Sequence, residues 1–320
     1  MADLTDPQRY GEKFTNQLEK VRTADIADAD REKILEYVRH LDGSASVNTG
    51  TIVSRLNRLR LSAERCNTEL LKMDESTVDQ FLFDLNHEYE LSEGTVRNYR
   101  KALRAFFEYL GRDWAENIKI GGSPDRNVDP NELLTMEEID ELLEAADNPR
   151  DKALVAIMAD SGLRIGAIAS LRVRDVDFSG AAASVTINED ANVKGASGTT
   201  PLTWSEGHVA SWLDVHPRRV ADAPLFHVRE GYFDANDGDG SLDYQYLARR
   251  VRNIAARTDV DADRVNTHNF RKSAISRWIR DGMSEQAIKH RAHWDVDTEQ
   301  FDNYSGVRDE ELNDQILAHY

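Results

Sequence analysis

Thr267-His268-Asn269-Phe270-Arg271-Lys272 holds a histidine and an arginine three positions apart. That spacing puts both side chains on one face of a helix. Backward from it, Ser161-Gly162-Leu163-Arg164-Ile165-Gly166 places a second arginine at the start of a helix running to Leu171. Forward from it, His293 follows Arg271 by 22 residues and Tyr304 follows His293 by 11. Between the two arginines, Ala183 to Asn188 alternates like a strand and Thr199 to Thr203 reads as its partner. Glu189 to Gly198 is then a hairpin loop with Lys194 at its tip.

Two arginines, two histidines, a lysine and a tyrosine make a set suited to phosphoryl transfer without a metal. Guanidiniums grip the non-bridging oxygens of a phosphodiester and neutralise transition-state charge. A tyrosine supplies an oxygen nucleophile, and histidine and lysine move protons. Taken singly, each residue has an ordinary alternative. Arg164 and Arg271 read as surface arginines, His268 as a helix-cap histidine, and Lys194 as a solubilising turn residue. His293 reads as packing beside Trp294, and Tyr304 as a half-buried tyrosine. Tyr320 is the other late tyrosine and sits too near a fraying end to be held in place. No acidic cluster has metal-ligand spacing, so neither metal nor cofactor is expected.

The first third of the chain reads as helices. Ile34, Val38 and Leu41 follow helical spacing, as do Val78, Phe81, Leu82 and Leu85. Thr95 to Leu110 gathers Val96, Leu103, Phe106, Phe107 and Leu110 on one side and Arg97, Arg100, Lys101 and Arg104 on another. Ser92 with Thr95 and Gly111 supply its start and stop. Such a basic stripe is commonly a solvated face; in an acidic chain it is a candidate DNA contact. Glu116 to Asn131, with Gly121, Gly122, Pro124 and Pro130, reads as a linker. The expected organisation is a helical domain over 1–115, a linker over 116–131 and a second domain over 132–320. That second domain opens with the capping box Thr135-Met-Glu-Glu, has a helix over Lys152 to Asp160, carries a small sheet, and has a loop over Gly231 to Gly240. The tail from Gly306 repeats Leu312, Ile316 and Tyr320 on one stripe, with Ser305-Gly306 as a joint.

Composition narrows the setting. The absence of 18 consecutive apolar residues argues against a membrane span. The polar, acidic start does not resemble a signal peptide. Cys66 is the single cysteine and is expected as a small buried hydrophobe. A reduced, cytoplasmic protein follows. The formal net charge is −18, which taken alone argues against nucleic acid. However, only ten of the 40 basic residues are lysines. Aspartate-rich, lysine-poor chains suit concentrated salt, where the Debye length falls to about 3 Å at 1 M.

The order Arg, Lys, His-x-x-Arg, His, Tyr, spread over Ser161-Gly162-Leu163-Arg164, Lys194, His268 with Arg271, Ala292-His293 and Tyr304, resembles the tyrosine-recombinase (phage integrase) family. The resemblance extends to the helical first domain, which is similar to the family's core-binding, SAM-like domain, and to the linker. It implies a mainly α protein of the DNA breaking-rejoining fold, whose second domain carries a small antiparallel sheet. Its substrate would be double-stranded DNA, its product a 3′-phosphotyrosyl link, and its working assembly four subunits on two duplexes. It further implies Tyr304 as nucleophile, Arg164, Arg271 and His293 on the phosphate oxygens, His268 as proton acceptor and Lys194 as donor to the leaving 5′ oxygen. Two departures stand out beside Lys272, which stands where the family often has histidine after its second arginine. The family usually has Ser-Glu or Ser-Asp where this chain has Gly166-Ala167, and its histidine-to-tyrosine gap is commonly two residues shorter. The first leaves open a DNA-binding protein with reduced cleavage. The acidic charge leaves open a helical interaction module.

Overall fold

The computed structural model describes residues 3–44, 47–121, 127–191, 193, 197–228, 240–295 and 297–317, with the side chains of 312–316 left out. Lys194, Tyr320 and most of the Gly231 to Gly240 loop therefore lie outside the described residues, as do the side chains of Leu312 and Ile316. The chain forms two compact units, one of Arg9–Arg126 and one joining Met1–Gln8 to Asn127–Tyr320.

The first unit is helical: α1 Tyr10–Thr23, α2 Asp28–Ser44, α3 Thr49–Arg65, α4 Glu75–His87 and α5 Glu93–Tyr109. The apolar positions read from the sequence pack together. Ile34, Val78, Leu85, Leu103, Phe106 and Phe107 are all buried in one core. The Ser92 hydroxyl accepts from the Thr95 N–H and starts α5. Buried Asp30 accepts the Leu70 and Leu71 N–H groups, fastening the α3–α4 connection to α2.

The second unit contains α6 Met136–Ala145, α7 Pro149–Ser161, α8 Ile165–Ser170, a sheet of β1 Val176–Asp177, β2 Ser184–Thr186 and β3 Thr199–Pro201, then α9 Glu206–Asp214, α10 Tyr244–Ala255, α11 Thr267–Arg280, α12 Glu285–Arg291 and α13 Ser305–Leu317. The sheet is antiparallel, in the order β1-β2-β3, with Val185 opposite Thr200. The expected hairpin is present, and the two-residue β1 is an addition the sequence reading lacked. The Thr135–Glu138 capping box opens α6. Helix α7 is buried on every face from Ala153 to Ser161, the pattern of a central helix. Around it lies the main core, including Ile139, Leu142, Ile168, Val185, Trp212 and Phe270. Among the described residues, no helix is long and apolar enough to cross a membrane.

Two expectations are corrected. Ser305 and Gly306 are not a joint but the first turn of α13, which follows the 3-10 turn Glu299–Tyr304 directly. Buried Val307 holds that turn against Phe301 and Tyr304, and such packing outweighs the local weakness of glycine. Cys66 is half-buried rather than buried, and burial pushes its thiol pKa up.

Candidate active site

The turn between α7 and α8 carries Arg164. Gly162 lies there at φ 58°, and a Cβ at that position would stand 2.9 Å from the Trp278 ring. Both facts require glycine. Arg164 is the N-cap residue of α8, and burial lowers its pKa while the neighbouring Tyr304 opposes that shift.

Arg271 leaves α11 into the interior and is only 6% exposed. Its guanidinium donates to Gly162 O at 2.6 Å and to Ala292 O at 2.6 Å. It also lies over the Trp294 ring, 5.6 Å from the centroid. Burial, then the charge of Arg164, lowers its pKa to about 10, so it stays cationic at neutral pH. A guanidinium has more N–H groups than these carbonyls use.

His293 follows α12 in a left-handed conformation, φ 51°. Ser197 O stands 2.7 Å from Nδ1, so Nδ1–H is the donor there. Nε2 then accepts from the Thr200 hydroxyl of β3. This is the neutral ring. Burial, together with Arg271 and Arg164, keeps its pKa below the usual value, against the Ser197 bond. His268, in the first turn of α11, is exposed. Desolvation of its ring, then Lys272, Arg271 and Arg164, lowers its pKa too.

Tyr304 ends the 3-10 turn and is 5% exposed. It packs in a small cluster with Ile275, Trp278, Ile288, Trp294 and Phe301, its ring centroid 6.0 Å from that of Trp294. The Val128 N–H donates to Asn303 O at 2.8 Å, tying the start of the unit to this turn. Burial raises the Tyr304 pKa strongly; Arg271 and Arg164 pull the other way. Arg164, Arg271, His268, His293 and Tyr304 are thus brought together, while Lys194 is outside the described residues. Among the described residues no group of three acidic, histidine or cysteine side chains is placed to hold a metal.

At the family's acidic position the structure has buried Ala167, and beside it Gly166 lies under the amide of Gln8. A Cβ on Gly166 would come within 2.9 Å of the Gln8 Nε2. The stripe on α5 is partly neutralised. Arg100 pairs with Glu93 at 3.3 Å and Arg104 with Glu108 at 2.8 Å, while Lys101 is exposed. The sequence reading passed over a second set on α3. Arg55 donates to the Tyr37 hydroxyl at 3.0 Å and Arg65 to that of Tyr99 at 2.9 Å, with Arg58 over the Tyr99 ring. The spacing of Arg55, Arg58 and Arg65 along one helix was the available signal.

The chain belongs to the phage integrase family: that family's description matches residues 132–311 and its N-terminal SAM-like domain matches 78–119. Among its relatives, tyrosine recombinase XerC of Natranaerobius thermophilus is 23% identical over 288 residues, covering 84% of this chain and 93% of that one. Tyrosine recombinase XerA of Pyrococcus horikoshii is 32% identical over 79 residues, 24% of this chain and 27% of that one. The XerH site-specific recombinase in a post-cleavage complex with a palindromic difH substrate shares the fold at TM-score 0.63 and 16% identity, over 98% of this chain and 96% of that one. A lambda integrase tetramer on a Holliday junction does so at TM-score 0.64 and 12% identity, over 84% of this chain and 78% of that one.

Proposed function

We propose that this protein is a site-specific DNA recombinase that cleaves and rejoins duplex DNA through Tyr304. The observation that carries the mechanism is a buried tyrosine packed on Trp294, whose ring also lies against the buried Arg271 guanidinium, while Arg271 in turn holds the Gly162 carbonyl of the turn that carries Arg164. A phosphodiester entering beside Arg164 and Arg271 supplies an anion that both guanidiniums can grip. The Tyr304 oxygen attacks phosphorus, its proton passes to His268, and the bond to the 5′ oxygen breaks. Lys194 protonates that oxygen. The bond energy stays in the 3′-phosphotyrosyl link, so rejoining needs no nucleotide cofactor. His293 donates to the phosphate from Nε2 once the Thr200 hydroxyl turns away and the ring takes a proton. An arriving phosphate anion favours that proton.

The stripe Arg97, Arg100, Lys101 and Arg104 is assigned to the DNA backbone. XerH and lambda integrase are relatives in fold whose structures hold DNA, the latter as a tetramer, which supports assembly of this chain on DNA. The composition supports work in the cytoplasm of a salt-rich cell. Ala167 favours a second reading, a DNA-binding protein with weak cleavage. A nicked suicide duplex separates the two. The enzyme traps a covalent adduct that Tyr304→Phe abolishes, whereas the binding protein yields none.

A further inference from the structure

The turn that carries Arg164 is held by three arginines from two helices. Arg277 of α11 donates to Ala159 O at 2.5 Å, Arg291 at the end of α12 to Asp160 O at 3.2 Å, and Arg271 to Gly162 O at 2.6 Å. These carbonyls are at and just beyond the C-terminal end of α7, where unsatisfied acceptors and the negative end of the helix dipole favour cations.

Within this arrangement Asp160 and Arg291 do more than close a helix. Asp160 is fully buried. Its carboxylate accepts from the N–H groups of Thr203, Trp204 and Ser205 at 2.7, 3.1 and 3.1 Å, and from the hydroxyls of Thr203 and Ser205. It therefore fastens the α7–α8 turn to the chain leaving β3. Arg291 adds the third segment: its Nη2 lies 3.0 Å from Asp160 Oδ1, and Trp278 covers the guanidinium at 4.5 Å. Each joined segment carries a part of the site a few residues away. Arg164 follows Asp160, Thr200 precedes Thr203, and His293 follows Arg291.

We infer that Asp160 and Arg291 are positioning residues, whose buried ion pair sets the spacing of Arg164 from His293 and its Thr200 partner. Neither touches the reacting atoms. The inference rests on the function proposed above.

The test uses the full chain and Arg291→Met, which keeps length and contact with Trp278 while removing the bridge. Asp160 retains its other donors in this variant, so the buried carboxylate stays satisfied. Arg291→Lys, which keeps the charge, is the second variant and the substitute if the first does not fold. The substrate is a nicked duplex whose sequence wild-type protein selects from a random pool. Single-turnover adduct formation per folded molecule is measured at saturating DNA, alongside DNA affinity. Displacement of a catalytic group by a fraction of its proper spacing costs about 10- to 100-fold in rate. Arg291→Met is expected to lose that much with unchanged affinity, and Arg291→Lys to lose less. A pair that only stabilises the fold would leave the rate of the folded molecules alone. A rate within about twofold of wild type overturns the inference. If wild type itself forms no adduct, the recombinase reading falls, and the NMR titration of the His293 ring decides the pair. A midpoint displaced in Arg291→Met supports positioning, and an unmoved midpoint refutes it.

Discussion

Arg271→Ala tests whether one side chain serves both the fold and the chemistry. The guanidinium is 6% exposed and donates to Gly162 O and Ala292 O, each at 2.6 Å. Truncation leaves those buried acceptors without this donor, at about 1–3 kcal/mol apiece. It also opens a cavity beneath Trp294. A loss of about 3–5 kcal/mol is expected, against a total stability of about 5–15 kcal/mol for an ordinary domain. The variant should therefore remain mostly folded in mild buffer. Arg271→Lys keeps a charge and can reach one acceptor, so it should lose about half as much. Chemistry should suffer separately: removal of one preorganised donor costs about 10²–10³-fold. Urea melts give the folded fraction, and single-turnover adduct formation is then scaled to it. Stability within about 0.5 kcal/mol of wild type would refute the structural role. A scaled rate within about threefold of wild type would refute the chemical one.

Tyr304→Phe should abolish adducts while leaving DNA affinity nearly intact; adducts at the normal rate would sink the assignment of the nucleophile. Melting temperature should rise with salt, because a net charge of −18 repels over a Debye length of about 30 Å at 0.01 M but about 3 Å at 1 M; a flat or inverted dependence contradicts adaptation to brine. Acid should weaken the fold through His216, which is 4% exposed, donates from Nε2 to Pro224 O at 2.9 Å and accepts at Nδ1 from the Arg218 N–H at 3.1 Å. Burial lowers its pKa, so its contribution is complete above the unfolded value of about 6.5 and is lost as pH falls below that, by at most about 1.4 kcal/mol per pH unit. Urea melts at pH 8 and pH 5 should show a smaller drop for His216→Phe than for wild type; equal drops exclude this histidine.

Helices such as α2, α4, α5 and α6 were legible because their apolar residues recur with the helical period and several of their caps are local. Ser92, Thr135 and Gly111 announce ends that the chain adopts. The candidate site was proposed for a different reason: Arg164, His268, Arg271, His293 and Tyr304 keep a recognisable order although separated by up to 140 residues. What the sequence does not display is any contact between distant single residues. Asp160 meets Arg291 across 131 positions, and Gln8 meets Gly166, with no periodic pattern to mark either. Ser305-Gly306 misled because glycine weakens a helix locally, whereas Val307 buries its side chain and decides the outcome.

The net charge misled for a related reason: it sums a surface and an interior that serve different ends. Around the α7–α8 turn stand Arg164, Arg271, Arg277 and Arg291, each with its pKa depressed by burial. Asp160 faces two of them, and Asp281 lies near Arg277. Enclosed cations are costly unless hydrogen bonds and anionic groups complete them. The carbonyls at the end of α7 supply only partial charge. In the proposed reaction a phosphodiester supplies a full one beside Tyr304. An acidic exterior is compatible with the proposed site, because at high salt its repulsion is screened within a few ångströms while buried charges, shielded from mobile ions, would keep their attraction for a phosphate.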